Sequence, residues 1–257
     1  MKTVIVIPAR FASTRFPAKP LAKIHGYTLL YRVWSLAKTV HRVSAVVIAT
    51  DHVSIAEHAE NFGAQVVMTN PCENGSERVL QALDQLDWKP EYIINLQGDA
   101  VLIPPWVIQN LVDTVQSSKH ISVATLATRL SPVQYQAMAQ ARNGGTTVVF
   151  NQRYEALYFS KACIPFVRNM PEVFVPVYQH IGLYAYRYAS LQHYVNLTPS
   201  PLEQAEGLEQ LRFLEYGIPI RVVLADYQGR THASIDYPSD IGHVEAIIQR
   251  EGELLTL

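Results

Sequence analysis

The sequence predicts an α/β fold, a mostly parallel sheet flanked by helices. Three observations carry that prediction. From Val4 to Gln116, short apolar runs alternate with segments of helical period, the pattern of successive βαβ units. The apolar runs are continuous rather than alternating, as strands covered on both faces are. The chain has 257 residues, 49% of them hydrophobic, enough to bury the core of one large α/β domain or two small ones.

The elements follow in order. Val4–Ile7 reads as the first strand, and Leu29, Leu30, Val33, Trp34 and Ala37 fall on one helical face after it. Ala45–Ala49 is strand-like, Ile55–Phe62 helix-like, Gln65–Met68 a short strand and Glu77–Leu86 a helix. Tyr92–Leu96 is the next strand, and Trp106–Gln116 is a helix opened by Pro104-Pro105. Ligands of parallel sheets sit beyond the carboxyl ends of the strands. Pro8–Lys19, Thr50-Asp51 and Gln97-Gly98-Asp99 therefore open onto one crevice.

From about Thr146 the pattern changes. Thr146–Phe150, Ala156–Phe159 and Ile181–Tyr186 are short strands rich in β-branched and aromatic residues. A helical stretch, Pro201–Tyr216, ends at Gly217, which suits a left-handed cap. Residues from about 145 to 195 read as a β-rich insertion, which is either a dimer surface or packing against its own domain. No linker, repeat or low-complexity segment divides the chain.

Composition narrows the function. With 21 basic and 22 acidic residues the net charge is −1, which argues against a broad nucleic-acid face. The two cysteines, Cys72 and Cys163, have no zinc or redox spacing and read as thiols in a reducing compartment. No apolar run reaches the length of a membrane span, and no signal-type h-region is present. A cytoplasmic protein is expected.

The loop after the first strand holds Arg10, Ser13, Thr14, Arg15 and Lys19 within ten residues. Backbone N–H groups, hydroxyls and fixed positive charges in one place suit a triphosphate; a solvated basic turn is the alternative. The loop lacks the GxxxxGK[ST] pattern, so it is not a P-loop. Asn95-Leu96-Gln97-Gly98-Asp99 puts a carboxylate just past a strand, where it could ligate Mg²⁺ or act as a turn residue. A hard cation needs a second carboxylate, and Asp236 is the candidate; it could equally be a helix N-terminal residue. In Asn74-Gly75-Ser76-Glu77-Arg78, Asn-Gly gives a tight turn and Ser76 can cap a helix. Arg78 in its first turn opposes the macrodipole, which suggests an anion or an acidic partner there. His180, Tyr184, Glu209 and Gln210 are candidates for hydrogen bonding a polyhydroxylated substrate; each could also be a structural residue.

Together these pieces resemble the 3-deoxy-manno-octulosonate cytidylyltransferase family (CMP-Kdo synthetases), within the wider sugar nucleotidyltransferases. The resemblance runs nearly end to end. Its most specific parts are Pro8-Ala-Arg-Phe-Ala-Ser-Thr-Arg-Phe-Pro-Ala-Lys-Pro-Leu21, Ala49-Thr-Asp51, Gln97-Gly-Asp99, Ala156-Leu-Tyr-Phe-Ser160, Pro201-Leu-Glu203 and Leu208-Glu-Gln-Leu-Arg212. It implies a Rossmann-like sheet of the nucleotide-diphospho-sugar transferase type over residues 1–257 as a single domain. The β-rich insertion would serve dimerisation and sugar binding, giving a homodimer. Pro8, Ala9, Arg10, Ser13, Arg15 and Lys19 would hold CTP, with Ser76, Arg78 and Gln97 lining the nucleotide and sugar pocket. Asp99 and Asp236 would hold catalytic Mg²⁺, with Lys19 beside them. His180, Tyr184, Glu209 and Gln210, with Gln97, would face the acidic sugar.

The implied reaction transfers CMP from CTP to the anomeric hydroxyl of Kdo and releases pyrophosphate, with the product feeding lipopolysaccharide or capsule. Departures from the family pattern fall mostly towards the sugar side. Ala100 and Val101 follow Gly-Asp, where an acidic or amide residue and then Pro are usual. Thr147 replaces a basic residue, Gln179 replaces Lys or Arg, and Asn74-Gly75-Ser76 replaces Ser-Gly-Thr. They imply a divergent branch. Its acceptor could be another 2-keto-3-deoxy acid, such as 8-amino-Kdo or a nonulosonate; a non-catalytic nucleotide-binding homologue is the alternative.

Overall fold

A computed structural model describes residues 2–12, 15–140, 145–169 and 176–255. The chain divides into two units, Met1–Asp113 with Tyr227–Leu257, and Thr114–Asp226.

In the first unit β1 (Thr3–Ala9) is the central strand; Ile5, Val6 and Ile7 are fully buried, as its unbroken apolar run requires. A 3₁₀ turn (Lys19–Leu21) and a small hairpin, β2 (Lys23–Ile24) and β3 (Tyr27–Thr28), lead into α1 (Leu29–Lys38). The Thr28 side chain caps α1 by accepting from Tyr31 N. β4 (Ala45–Thr50), α2 (Val53–Asn61), β5 (Gln65–Met68), α3 (Gly75–Gln85), β6 (Tyr92–Asn95) and α4 (Pro105–Ser117) follow. The four strands β6-β1-β4-β5 are parallel, with Val6 opposite Val47 on one side and Asn95 on the other.

From β1 the chain steps outward through β4 to β5, then returns by α3 to β6 on the far side of β1. The right-handed crossover rule puts α1 and α2 on one face and α3 on the other. The reversal makes a switch point between β1 and β6, where a parallel sheet opens its ligand crevice.

A buried ion pair ties the C-terminal segment to α1 in this unit. Arg32, on the buried face of α1, donates from Nε and Nη2 to the Ile24 carbonyl at 3.0 and 2.8 Å. Its Nη1 spans both Glu253 oxygens at 2.9 and 3.0 Å.

The second unit begins within α4. β7 (Val123–Arg129), α5 (Pro132–Gln140), β8 (Thr147–Phe150), β9 (Ala156–Ser160), β10 (Tyr178–Arg187), α6 (Tyr188–Val195), α7 (Pro201–Glu206), α8 (Gln210–Glu215) and β11 (Ile220–Leu224) come in that order. β7 pairs in parallel with β11 and antiparallel with β10. β8 lies antiparallel between β10 and β9. The single helix expected over Pro201–Tyr216 is two. Gly207 stops α7 with φ +63°, a left-handed conformation that glycine adopts without a Cβ clash. Gly217, also at positive φ, follows the end of α8.

Thr147 shows why β8 can carry a hydroxyl where a basic residue was expected. Its side chain is buried, donates to the Ala162 carbonyl at 2.7 Å and accepts from Ile164 N at 3.1 Å. A lysine there would have no water for its charge. The chain closes with α9 (Asp240–Glu251) in the first unit.

Candidate active site

At the carboxyl end of β1 the backbone runs through Pro8 and Ala9 to Arg10 and turns back. Ala18 N bonds the Phe11 carbonyl at 3.0 Å, and Ala18 takes φ +55°. Phe11 stacks on His52 with ring centroids 3.8 Å apart, which fixes the loop against the start of α2. The buried Pro20 anchors the 3₁₀ turn that aims Lys19 inward. Lys19 Nζ donates to Asp99 Oδ2 at 2.5 Å and to the Ile235 carbonyl at 2.7 Å. Arg15 pairs with Asp236 Oδ1 at 3.1 Å and lies over the Tyr237 ring.

Asp99 is placed by the loop that leaves β6. Gly98 brings that loop against β1, since a Cβ built there would stand 3.2 Å from the Pro8 carbonyl oxygen. The next turns close through Ala100 N to Gln97 O and Val101 N to Asp99 O, with Val101 buried. Ala100 and Val101 thus complete the turns that present Asp99.

Asp236 precedes α9 rather than opening it. Asp240 in the first turn of α9 accepts from the N–H groups of Asp236 and Tyr237, both at 2.8 Å. Pro8, Ala9, Arg10, Arg15, Lys19, Gln97, Asp99 and Asp236 line one cavity, so eight sequence candidates meet in one place. Ser13 lies outside the described residues.

Behind Asp99 stands a group that sequence reasoning missed. His232 Nδ1 lies 3.0 Å from the Tyr227 hydroxyl. Burial lowers this imidazole to about 4, against the upward pull of the Asp99 charge, and burial pushes the Tyr227 phenol up.

The start of α3 adjoins the cavity. A Cβ on Gly75 would sit 3.5 Å from Pro8 Cγ, 3.6 Å from Gln97 Nε2 and 3.8 Å from Asn95 Nδ2. The cap of α3 is Asn74, not Ser76. Asn74 Oδ1 accepts from Glu77 N at 2.9 Å, and Ser76 is one residue inside the helix and fully buried. Asparagine can take the extended Ncap backbone and reach that N–H, and the serine is buried within the helix instead.

Arg78 is buried, and an acidic partner does face it, from its own chain. It donates to Asp51 Oδ2 at 2.6 Å and to Thr69 Oγ1 at 2.5 Å. Asn95 is fully buried, and its Nδ2 has no hydrogen-bond partner among the described residues.

The other four candidates lie in the second unit. His180 Nε2 is 3.0 Å from Thr125 Oγ1, and its ring is 5.5 Å from that of Tyr184. Tyr184 is buried. Its phenol is held well up by burial, then by the neighbouring Tyr186 and by the Glu209 carboxylate. Glu209 precedes α8 and Gln210 opens it, buried, with no partner for its Nε2 among the described residues. Below them Arg212 is bidentate to Glu203 at 2.7 and 2.6 Å and stacks on Tyr194.

Residues 4–221 match the family model described as cytidylyltransferase. A relative from Maricaulis maris (strain MCS10), 3-deoxy-manno-octulosonate cytidylyltransferase, is 50% identical over 99% of this chain and all of its own. The chain belongs to the 3-deoxy-manno-octulosonate cytidylyltransferase family. Its relative of the same name from Chlamydia trachomatis serovar A is 40% identical over 95% of this chain and 93% of its own. Among solved structures, a CMP:2-keto-3-deoxy-manno-octonic acid synthetase complexed with CTP superposes with a TM-score of 0.88. It is 35% identical and covers 98% of this chain and all of its own.

In this cytidylyltransferase, sequence reasoning did not assign Asp51, Asn95, Tyr227, His232 or the Ile235 carbonyl. Asp51 and Asn95 stood inside the quoted motifs, so a signal was present for both. His232 and Ile235 O had none, because one lies in an irregular segment and the other is a backbone group.

Among the described residues no cluster of three or more His, Cys, Asp or Glu side chains is placed to hold a metal. Asp99 and Asp236 are the carboxylates lining the cavity, and both are hard oxygen donors. Two carboxylates fit a Mg²⁺ ion that takes its remaining oxygens from substrate phosphates and water, and do not fit a closed protein cage.

Proposed function

We propose that this enzyme transfers CMP from CTP to the anomeric hydroxyl of 3-deoxy-D-manno-octulosonate, with Mg²⁺ held by Asp99 and Asp236. The observation that carries the reading is the meeting of Arg10, Arg15 and Lys19 with those two carboxylates in one cavity at the β1–β6 switch point. The acceptor hydroxyl gives its proton to water, its oxygen bonds to the α-phosphorus of CTP, the bond from that phosphorus to the α–β bridging oxygen breaks, and pyrophosphate leaves with that oxygen.

Lys19 and the two arginines take the charge that builds on the departing pyrophosphate. When bound, Mg²⁺ neutralises phosphate oxygens and lowers the pKa of the attacking hydroxyl. The loop of residues 8–21 orients the triphosphate, and its prolines limit the entropy lost on binding. His180, Tyr184, Glu209 and Gln210 supply the polar contacts for the acidic sugar. In this reading Gln210 Nε2 donates to a sugar oxygen, a role supported by its being buried with no partner among the described residues.

Leu157 and Phe166 in the β-rich segment are 60% and 86% exposed, which supports a self-complementary surface and a homodimer. Sedimentation equilibrium is expected to give twice the 28.9 kDa chain mass.

The function is tested by incubating the purified chain with CTP, Mg²⁺ and a panel of Kdo, 8-amino-Kdo and a nonulosonate, following pyrophosphate. Fastest release with Kdo is expected. Faster release with another acid reassigns the acceptor, and no release with any acid overturns the reading.

A further inference from the structure

We infer that Lys19 stands in for the metal at Asp99, so that Mg²⁺ and the triphosphate enter this site as a coupled pair rather than independently. The inference rests on the proposed reading, in which Asp99 binds Mg²⁺ and Lys19 binds phosphate. The Lys19 ammonium bonds two hard oxygens at once, Asp99 Oδ2 at 2.5 Å and the Ile235 carbonyl at 2.7 Å. A cation is therefore already seated on the carboxylate that the metal requires. The same contact occupies the ammonium that the triphosphate requires.

Either ligand alone must break this pair and strand a charge. Triphosphate drawing Lys19 away leaves Asp99 bare beside incoming anions. A dication taking Asp99 leaves the ammonium bare beside it. Arriving together, they exchange partners: Lys19 passes to phosphate, Asp99 passes to metal, and no charge is left uncompensated.

Exposure separates this pair from its neighbour. The Lys19 and Asp99 side chains are 20% and 29% exposed, whereas Arg15 and Asp236 are 56% and 43% exposed. The second pair is screened by water and holds little of the coupling. The coupling is reciprocal, since each ligand must raise the affinity for the other by the same factor.

The test is a double-mutant cycle read by calorimetry on the full chain, with CTP in the presence of a chelator. Asp99→Asn frees Lys19 and is expected to tighten metal-free CTP by about tenfold, within the usual range of site coupling. In a Lys19→Met background the same Asp99→Asn change is expected to alter CTP affinity less than about twofold, because no ammonium remains to be released. Where binding is too weak for calorimetry, the rise in unfolding midpoint at millimolar CTP makes the same comparison and also shows that each variant is folded.

Equal tightening in both backgrounds would mean that Asp99 acts by plain repulsion of phosphate, and it overturns the inference. So does no tightening in either. Wild-type chain that fails to bind CTP even with Mg²⁺ overturns the functional reading instead, so the two failures are distinguishable.

Discussion

His232 makes the stability of this protein depend on pH before the acidic residues titrate. Its ordinary value is 6.5, and burial holds it at about 4 in the folded chain. The unfolded chain therefore takes up the proton first as pH falls. Above 6.5 the imidazole is neutral in both states and contributes no slope. Between 6.5 and 4 the unfolded state binds more protons, so stability falls with pH; below 4 both states are protonated and the loss is complete.

The full displacement corresponds to about 3 kcal/mol, most of it spent by pH 4.5. Glu251 does not confuse that window. Burial alone would raise its carboxyl, but bonds from Thr231 and Arg250 outweigh it and hold the group at about 2, so its contribution is lost only as pH falls from 4.5 towards that value. The assay is urea unfolding of wild type and His232→Gln at several pH values from 7.5 to 4.5. Glutamine can keep a hydrogen bond to the Tyr227 hydroxyl and cannot titrate. The difference between the two proteins is expected to shrink in favour of the variant by about 2–3 kcal/mol across the range. Parallel stability curves for wild type and variant would refute the reasoning.

Three further outcomes are expected. Asp99→Asn should lower turnover by a factor on the order of 10³ while leaving the circular dichroism spectrum and unfolding midpoint near wild type, since the residue is partly exposed and serves charge rather than packing; near-normal turnover removes Asp99 from the mechanism. Glu253→Ala should cost about 3 kcal/mol in urea unfolding, because it leaves the buried Arg32 Nη1 without its carboxylate; a loss under 1 kcal/mol would show that Arg32 is satisfied otherwise. Gly98→Ala forces a Cβ to 3.2 Å from the Pro8 carbonyl, so the loop carrying Asp99 must shift by a few tenths of an ångström. Its kcat is expected to fall about 10- to 100-fold with a smaller change in stability, measured by steady-state kinetics beside thermal unfolding.

The parallel half of the fold was legible because its strands are continuous apolar runs and its helices carry one buried face. Val4–Ile7 and Gln65–Met68 needed nothing beyond local pattern. β7 and β11 were not anticipated. In β7 two threonines, Thr125 and Thr128, interrupt the apolar residues, and Thr125 is buried only because its hydroxyl bonds the carbonyls of Ile181 and Leu183 on another strand. That compensation is non-local, and no window of sequence contains it. The cap in Asn74-Gly75-Ser76 was not legible for a different reason: two residues of this short motif can both cap, and backbone conformation chooses between them. At the site, the loop of residues 8–21 and Asp99 were legible as residue types placed at strand ends. What they bond was not, since Lys19 meets Asp99 across eighty positions and Ile235 across more than two hundred.

The same structure divides the ionic groups into two kinds that sequence leaves indistinguishable. Arg32, Arg78 and Arg212 are buried, and each guanidinium is shared between a carboxylate and a further oxygen, from Ile24, Thr69 and Leu197 respectively. Removing a partner from such a group strands a charge in low dielectric, so these pairs do not exchange; they hold α1, α3 and α8 in place. Arg15 and Lys19 differ in that their carboxylate partners line an open cavity, where incoming ions can exchange with them. Arg78 illustrates the consequence. Its position in the first turns of α3 suggested an anion, and the anion it holds is Asp51, so any nucleotide at that wall meets a neutral pair rather than a free cation. Charge available to a ligand is thus concentrated in Arg10, Arg15 and Lys19. On the proposed reading, electrostatic selection for the triphosphate acts at the β1 loop, while the start of α3 and the end of β6 contribute shape and uncharged donors such as Asn95 Nδ2.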